Sequence, residues 1–92
     1  MNKKRDRLEI IHDILRVIMD RRGNVKPTHI LYKSNLSHQM LTDYLSELIA
    51  KEFIKEKIDK KDKKTYEITD KGCNYLEDFK VIRAFVDSYG LE

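Results

Sequence analysis

The chain has 92 residues, 40% of them hydrophobic and 38% charged, with a formal net charge of +3. That is enough for one small domain with a modest core and a wet, charged surface. No apolar run approaches the roughly 18 residues of a membrane span. The basic start at Met1–Arg7 is not followed by the apolar core of a signal peptide, so a cytoplasmic location is expected.

Leu8, Ile11, Leu15, Ile18 and Met19 recur at helical spacing and predict a first helix from about Arg5 to Arg22. Ile10, Ile14 and Val17 widen its apolar stripe past half the circumference, more than one small core needs. A second contact, with another subunit, is therefore expected on this helix. Gly23-Asn24 is a natural stop. Val25 is a candidate for a short strand. Pro27-Thr28 opens a short second helix through Ile30, Leu31 and Tyr32, with Tyr32 expected in the core. After the turn Ser34-Asn35-Leu36, Ser37 is a suitable N-cap for a third helix, His38 to Lys51. Its apolar side carries Leu41, Tyr44, Leu45, Leu48 and Ile49, with Tyr44 expected in the core. Its polar side carries Gln39, Thr42, Asp43, Ser46 and Ala50.

Phe53 to Asp59 reads as a strand with Ile54 and Ile58 on one face. Lys60-Lys61-Asp62-Lys63 is a turn, and Thr65 to Thr69 is the return strand with Tyr66 and Ile68 inward. Thr69 or Asp70 caps a last helix running from about Lys71 to Tyr89. On it Tyr75, Phe79, Ile82, Val86 and Tyr89 are spaced 4, 3, 4 and 3, a heptad seam about two heptads long, with Val81 and Phe85 to one side. The fold class is α+β, mostly helical. Residues 1–70 form the body and residues 71–92 a C-terminal helix that pairs two subunits.

Positive charge is concentrated in two segments. Lys3, Lys4, Arg5 and Arg7 against Asp6 leave +3, and Lys55, Lys57, Lys60, Lys61, Lys63 and Lys64 against Glu56, Asp59 and Asp62 leave another +3. Two concentrated basic segments point to a polyanionic partner.

At Arg7-Leu8-Glu9-Ile10-Ile11, Asn35-Leu36-Ser37, Glu52-Phe53-Ile54 and Ile68-Thr69-Asp70-Lys71-Gly72 the chain resembles the small archaeal winged-helix DNA-binding proteins. The resemblance covers roughly residues 5 to 80. It implies a winged helix-turn-helix body, a C-terminal coiled-coil helix joining a homodimer, and binding of double-stranded DNA through the third helix and the wing. It also implies a role as a transcriptional regulator or chromatin-associated protein, cytoplasmic and on the nucleoid.

DNA binding needs positive charge to displace counterions and polar side chains to read base edges. Lys60, Lys61, Lys63 and Lys64 in the wing and Lys3, Lys4 and Arg5 at the N-terminus are candidates for the first. Lys26, Lys33 and Lys51, near the ends of the two short helices, join them. Ser37, His38, Gln39 and Thr42 are candidates for the second. Glutamine pairs bidentately with adenine, and the threonine methyl touches a thymine methyl. The candidate dimer interface is Tyr75, Phe79, Ile82, Val86 and Tyr89 with Ile10, Ile14 and Val17.

Residues 37–47 contain no Lys or Arg, while Asp43 and Glu47 make the segment acidic. The alternative reading is therefore a winged-helix module that binds a protein through this acidic face. Catalysis is not expected. His12, His29, His38 and Cys73 lack metal-ligand spacing, and there is no glycine-rich phosphate loop. No cofactor or metal is expected, and no pattern names a small-molecule effector between the first and last helices. Cys73, the single cysteine, excludes an internal disulfide and reads as a small half-buried hydrophobe. A redox-sensing thiol and an intersubunit disulfide are the alternatives.

Overall fold

The computed structural model describes residues 5–22 and 25–90. Met1 to Lys4, Gly23-Asn24 and the last two residues lie outside the described residues. So do the expected phosphate contacts Lys3 and Lys4 and the expected helix stop at Gly23-Asn24. The elements run α1 (Arg7–Asp20), α2 (Pro27–Ser34), α3 (His38–Ala50), β1 (Ile54–Ile58), β2 (Lys64–Ile68) and α4 (Asp70–Ser88). This is the expected order, mostly helical with one antiparallel hairpin.

Local chemistry sets each boundary. Asp6, not Arg5, starts α1, because its carboxylate accepts from the Glu9 N–H at 2.9 Å. Ser37 caps α3 by accepting from Met40 N–H at 3.1 Å. Thr69 caps α4 by accepting from Gly72 N–H at 3.1 Å. Between α2 and α3 the chain turns through Asn35, whose φ of 54° is left-handed, a conformation Asn tolerates better than most side chains. The hairpin pairs Ile54 with Ile68 and Ile58 with Lys64. Val25 adds a single bridge to Tyr66 on the free side of β2.

The core is built on α1. Ile14, Leu15 and Ile18 are fully buried, with Ile30 of α2, Leu41, Leu45 and Leu48 of α3, Ile54 and Tyr66 of the hairpin, and Leu76 of α4. Ile10 and Ile14, expected at a subunit interface, are instead 7% and 0% exposed. The wide stripe of α1 is closed on one side by α2 and the hairpin and on the other by the first half of α4. Its surplus is thus absorbed within one chain. Val17 is half-buried at the edge of this packing.

The seam of α4 divides in the same way. Tyr75 and Phe79 turn inward. Tyr75 OH donates to the Leu8 carbonyl at 2.7 Å, its ring meets Phe53 edge-on, and Phe79 stacks on His12 with ring centroids 4.4 Å apart. Beyond Phe79, Val81, Ile82, Phe85 and Tyr89 are exposed, while Arg83, Ala84 and Asp87 line an open groove against α1. The molecule is elongated, 49 × 28 × 21 Å. Two further positions depart from expectation. Ile58 is 57% exposed because the hairpin tip extends past the core, and Tyr32 is 82% exposed on the outer face of α2. Tyr44 is half-buried under the Arg7 guanidinium.

Candidate nucleic-acid interface

The outer face of α3 and the wing meet in a cleft. His38, Thr42 and Ser46 line it from α3, Pro27 from the start of α2, and Glu56, Lys64 and Tyr66 from the hairpin, enclosing about 270 Å³. His38, Thr42 and Ser46 share one face because they are spaced four residues apart on a helix. The buried Leu41 and Leu45 line the inner wall of the same cleft and, with Leu48, anchor α3 to the core.

Of the expected base-reading residues, all four are exposed at the start of α3. Three of their side chains have local tasks. The Ser37 hydroxyl is the helix cap, Thr42 Oγ1 donates back to the His38 carbonyl at 2.9 Å, and Gln39 Nε2 donates to Asp43 Oδ1 at 3.0 Å. Gln39 therefore presents its free carbonyl oxygen, and Thr42 its methyl. Ser46, expected on the polar face of this helix but not among the base-reading residues, also lines the cleft, and Glu56 joins it unexpectedly. Ser46 is legible from its spacing to Thr42, whereas Glu56 needed the hairpin register that brings it beside Tyr66.

The wing carries its lysines on a turn organised by Asp59. Asp59 Oδ1 accepts from the backbone N–H of Lys61 at 2.8 Å and of Lys63 at 2.9 Å. These two bonds hold its carboxyl below the usual carboxylate range, with help from Lys26 and Lys63. Asp62 takes the left-handed position of the turn. At its base the wing is braced by ion pairs, Lys57 with Glu67 at 3.1 Å and Lys64 with Glu56 at 3.8 Å. Tyr66 OH also donates to Glu56 at 3.3 Å. Burial, and then the Glu56 charge, push this phenol up to about 12. Lys60, Lys61 and Lys63 at the tip are exposed, with Lys63 near enough to act on the Asp59 charge.

The remaining expected phosphate contacts are scattered. Lys26 is exposed at the start of α2, on the wing side. Lys51 lies at the far end of α3, paired with Glu47 at 2.9 Å. Lys33 faces α1 and shares a hollow with Arg21 and His29. Arg5 is not a surface cation. Its guanidinium donates to Asp13 at 2.6 Å and to the Ser34 carbonyl at 2.6 Å, and reaches the Asn35 carbonyl at 3.4 Å. The negative charge of α3 is also smaller than its composition implied. Glu47 is clasped by Arg7 and Lys51, which hold its carboxyl below the usual range. Among the expected interface residues of α4, Ile82 and Tyr89 are exposed, Val86 is half-buried, and Tyr75 and Phe79 pack on the body. Between α1 and α4 lies an open groove of about 500 Å³ lined in part by His12, Asp13 and Arg83. Among the described residues no helix is long and apolar enough to cross a membrane.

A family model described as winged helix-turn-helix matches residues 4–86. The chain belongs to this winged helix-turn-helix family. A similar solved structure is Sso10a-2, a DNA-binding protein from Sulfolobus solfataricus, at 29% identity and a TM-score of 0.76, covering 94% of this chain and 90% of that one. The PcaV transcriptional regulator from Streptomyces coelicolor shares the winged-helix fold at 15% identity and a TM-score of 0.78, over 87% of this chain and 60% of that one. Diamide-treated YodB from B. subtilis shares it at 23% identity and a TM-score of 0.75, over 89% and 87% of the two chains. A comparison with curated protein sequences found no match.

Proposed function

We propose that this winged helix is a duplex DNA-binding protein acting in transcriptional control. It sits on the nucleoid in the cytoplasm and works as a homodimer. The observation that carries the reading is the cleft where His38, Thr42 and Ser46 of α3 converge with Lys64 of the wing. Beyond it stand the exposed wing-tip lysines Lys60, Lys61 and Lys63. A polar helix face beside a mobile positive charge is the arrangement that seats a helix in a major groove and a hairpin on the adjacent backbone. The DNA-binding relative from Sulfolobus solfataricus, matched over nearly the full length of both chains, supports it. The exposed Val81, Ile82, Phe85 and Tyr89 on the far half of α4 support self-association, since an apolar strip of this kind is unusual on a monomer.

The test is a salt titration of binding to a random-sequence duplex from about 50 to 200 mM. The reading requires a steep loss of affinity. Replacing Lys60, Lys61, Lys63 and Lys64 by Ala should weaken binding on every sequence and flatten the slope by roughly 0.9 per lost phosphate contact. An absence of binding at the low-salt end overturns the DNA reading, and a slope and affinity unchanged by the four substitutions remove the wing from the interface.

A further inference from the structure

On the flank of α2 that faces α1, away from the cleft with the wing, three nitrogen bases converge on one hollow. His29 and Lys33 lie one helical turn apart on α2, and Arg21 reaches across from the end of α1. Val17 forms the floor, Asp20 the rim, and the hollow encloses about 400 Å³. Arg21 Nε donates to His29 Nε2 at 3.1 Å, while Arg21 Nη2 lies 3.2 Å from Nδ1. A neutral imidazole accepts through one nitrogen only, so the second contact sets two N–H donors against each other. The single carboxylate at the rim, Asp20, is engaged by Arg16 at 3.3 Å. Arg21 and Lys33 have no carboxylate partner among the described residues.

We propose that Arg21, His29 and Lys33 form a binding site for a phosphate group, separate from the α3 and wing surface. A phosphate oxygen between Arg21 and His29 supplies the acceptor both lack, and charge-assisted bonds of this kind are the strong ones. Arg21 offers a planar fork, Lys33 a mobile point charge and His29 a donor that becomes available on protonation. The ligand-free imidazole is consistent with this. Its pKa lies below the ordinary histidine value, through burial first and then through Arg21 and Lys33. A bound dianion reverses the electrostatic part, so phosphate binding and His29 protonation reinforce each other. The facing charged groups are Arg21 and Asp20 from α1 and Lys33 from α2 itself.

The phosphate has two sources, a free phosphate or phosphorylated metabolite and the backbone of a nucleic acid. The experiment titrates inorganic phosphate into the full chain at constant ionic strength made up with chloride, following the His29 ring by NMR with His12 as internal reference. The expected result is a saturable His29 shift and an upward move of its titration midpoint, with His12 unchanged. Arg21→Gln or Lys33→Gln should each weaken phosphate binding roughly tenfold, and the pair should abolish saturation. In a second arm the protein is first saturated with a duplex no longer than one α3 footprint. Continued response of His29 to phosphate assigns the site to a free phosphate. Loss of the response, with His29 already shifted by the duplex, assigns it to the DNA backbone. A His29 shift reproduced by chloride, or one that persists in the double variant, overturns the proposal.

Discussion

Arg5 shows how far a residue's role depends on what lies within reach of its charge. In the sequence it belongs to a basic cluster. In the fold it joins Asp13 of α1 to the carbonyls that end α2, where the field of the helix also favours a cation. Arg5→Gln should therefore lower the unfolding free energy by about 1–2 kcal/mol, given a charged pair that is only half-buried. The salt slope of DNA binding should stay as it was, and a slope reduced by about 0.9 would return Arg5 to the backbone contacts. Asn35 carries a second local constraint. Asn35→Ile puts a β-branched side chain at a left-handed φ and should cost about 1–2 kcal/mol in denaturant unfolding. Gly72 carries a third, because a Cβ there would lie 2.5 Å from the Phe53 carbonyl oxygen and 2.6 Å from Ile68 Cγ1. Gly72→Ala should destabilise by about 1–3 kcal/mol, read as a lower midpoint in the same experiment. The motif Ile68-Thr69-Asp70-Lys71-Gly72 was legible in the sequence, and its geometry explains it. Thr69 caps α4 and tethers it to the end of α3, and Gly72 lets that junction close.

The elements were more legible than their surfaces. Helical periodicity, the Pro27 start and the Ser37 and Thr69 caps gave every boundary to within a residue or two, because those signals are local. What periodicity does not contain is which neighbour covers an apolar face. Ile10 and Ile14 were assigned to a partner because the stripe was too wide for one contact, and the second contact turned out to be α4 of the same chain. Tyr32 reads as a core residue in the sequence, yet α2 is only eight residues long, and its inward face is filled by Ile30 and Ser34. The acidity of α3 misled for a related reason. Arg7, 40 residues away in sequence, pairs with Glu47, which leaves Asp43 as the one carboxylate on the groove-facing side. This weakens the protein-binding reading of α3. The wing makes its own prediction. Asp59 has a folded pKa below its ordinary value, so its contribution to wing order is present above the ordinary Asp range and is lost as pH falls through the folded pKa. The protection factors of the Lys61 and Lys63 amides, taken against the intrinsic rate at each pH, should fall over that acid range while those in α3 stay high. Asp59→Asn should reproduce the effect at neutral pH.

Across the whole molecule, the apolar face of α4 is packed on the body up to Phe79, while Val81, Ile82, Phe85 and Tyr89 beyond it are exposed. A homodimer formed through the far half of α4 should dissociate when Phe85 is replaced by Glu, seen as a shift to monomer mass in sedimentation. Phe85 is 59% exposed and serves no core, so the melting temperature of the body should hold. A variant that remains dimeric moves the interface elsewhere. The segment Lys80–Ser88 spans about 13 Å of helix. In a two-fold pair joined along it, the segment acts as a ruler, because the distance between the two α3 helices follows from how far α4 runs before the subunits meet. A single residue inserted after Lys80 would turn the apolar strip by about 100° and unseat the partner. Seven inserted residues would keep the strip nearly in phase and add about 10 Å to each arm. In such a pair the spacing of half-sites on the DNA would follow from the length of α4, and the seven-residue insertion should shift the preferred half-site spacing while the single insertion should abolish dimer formation.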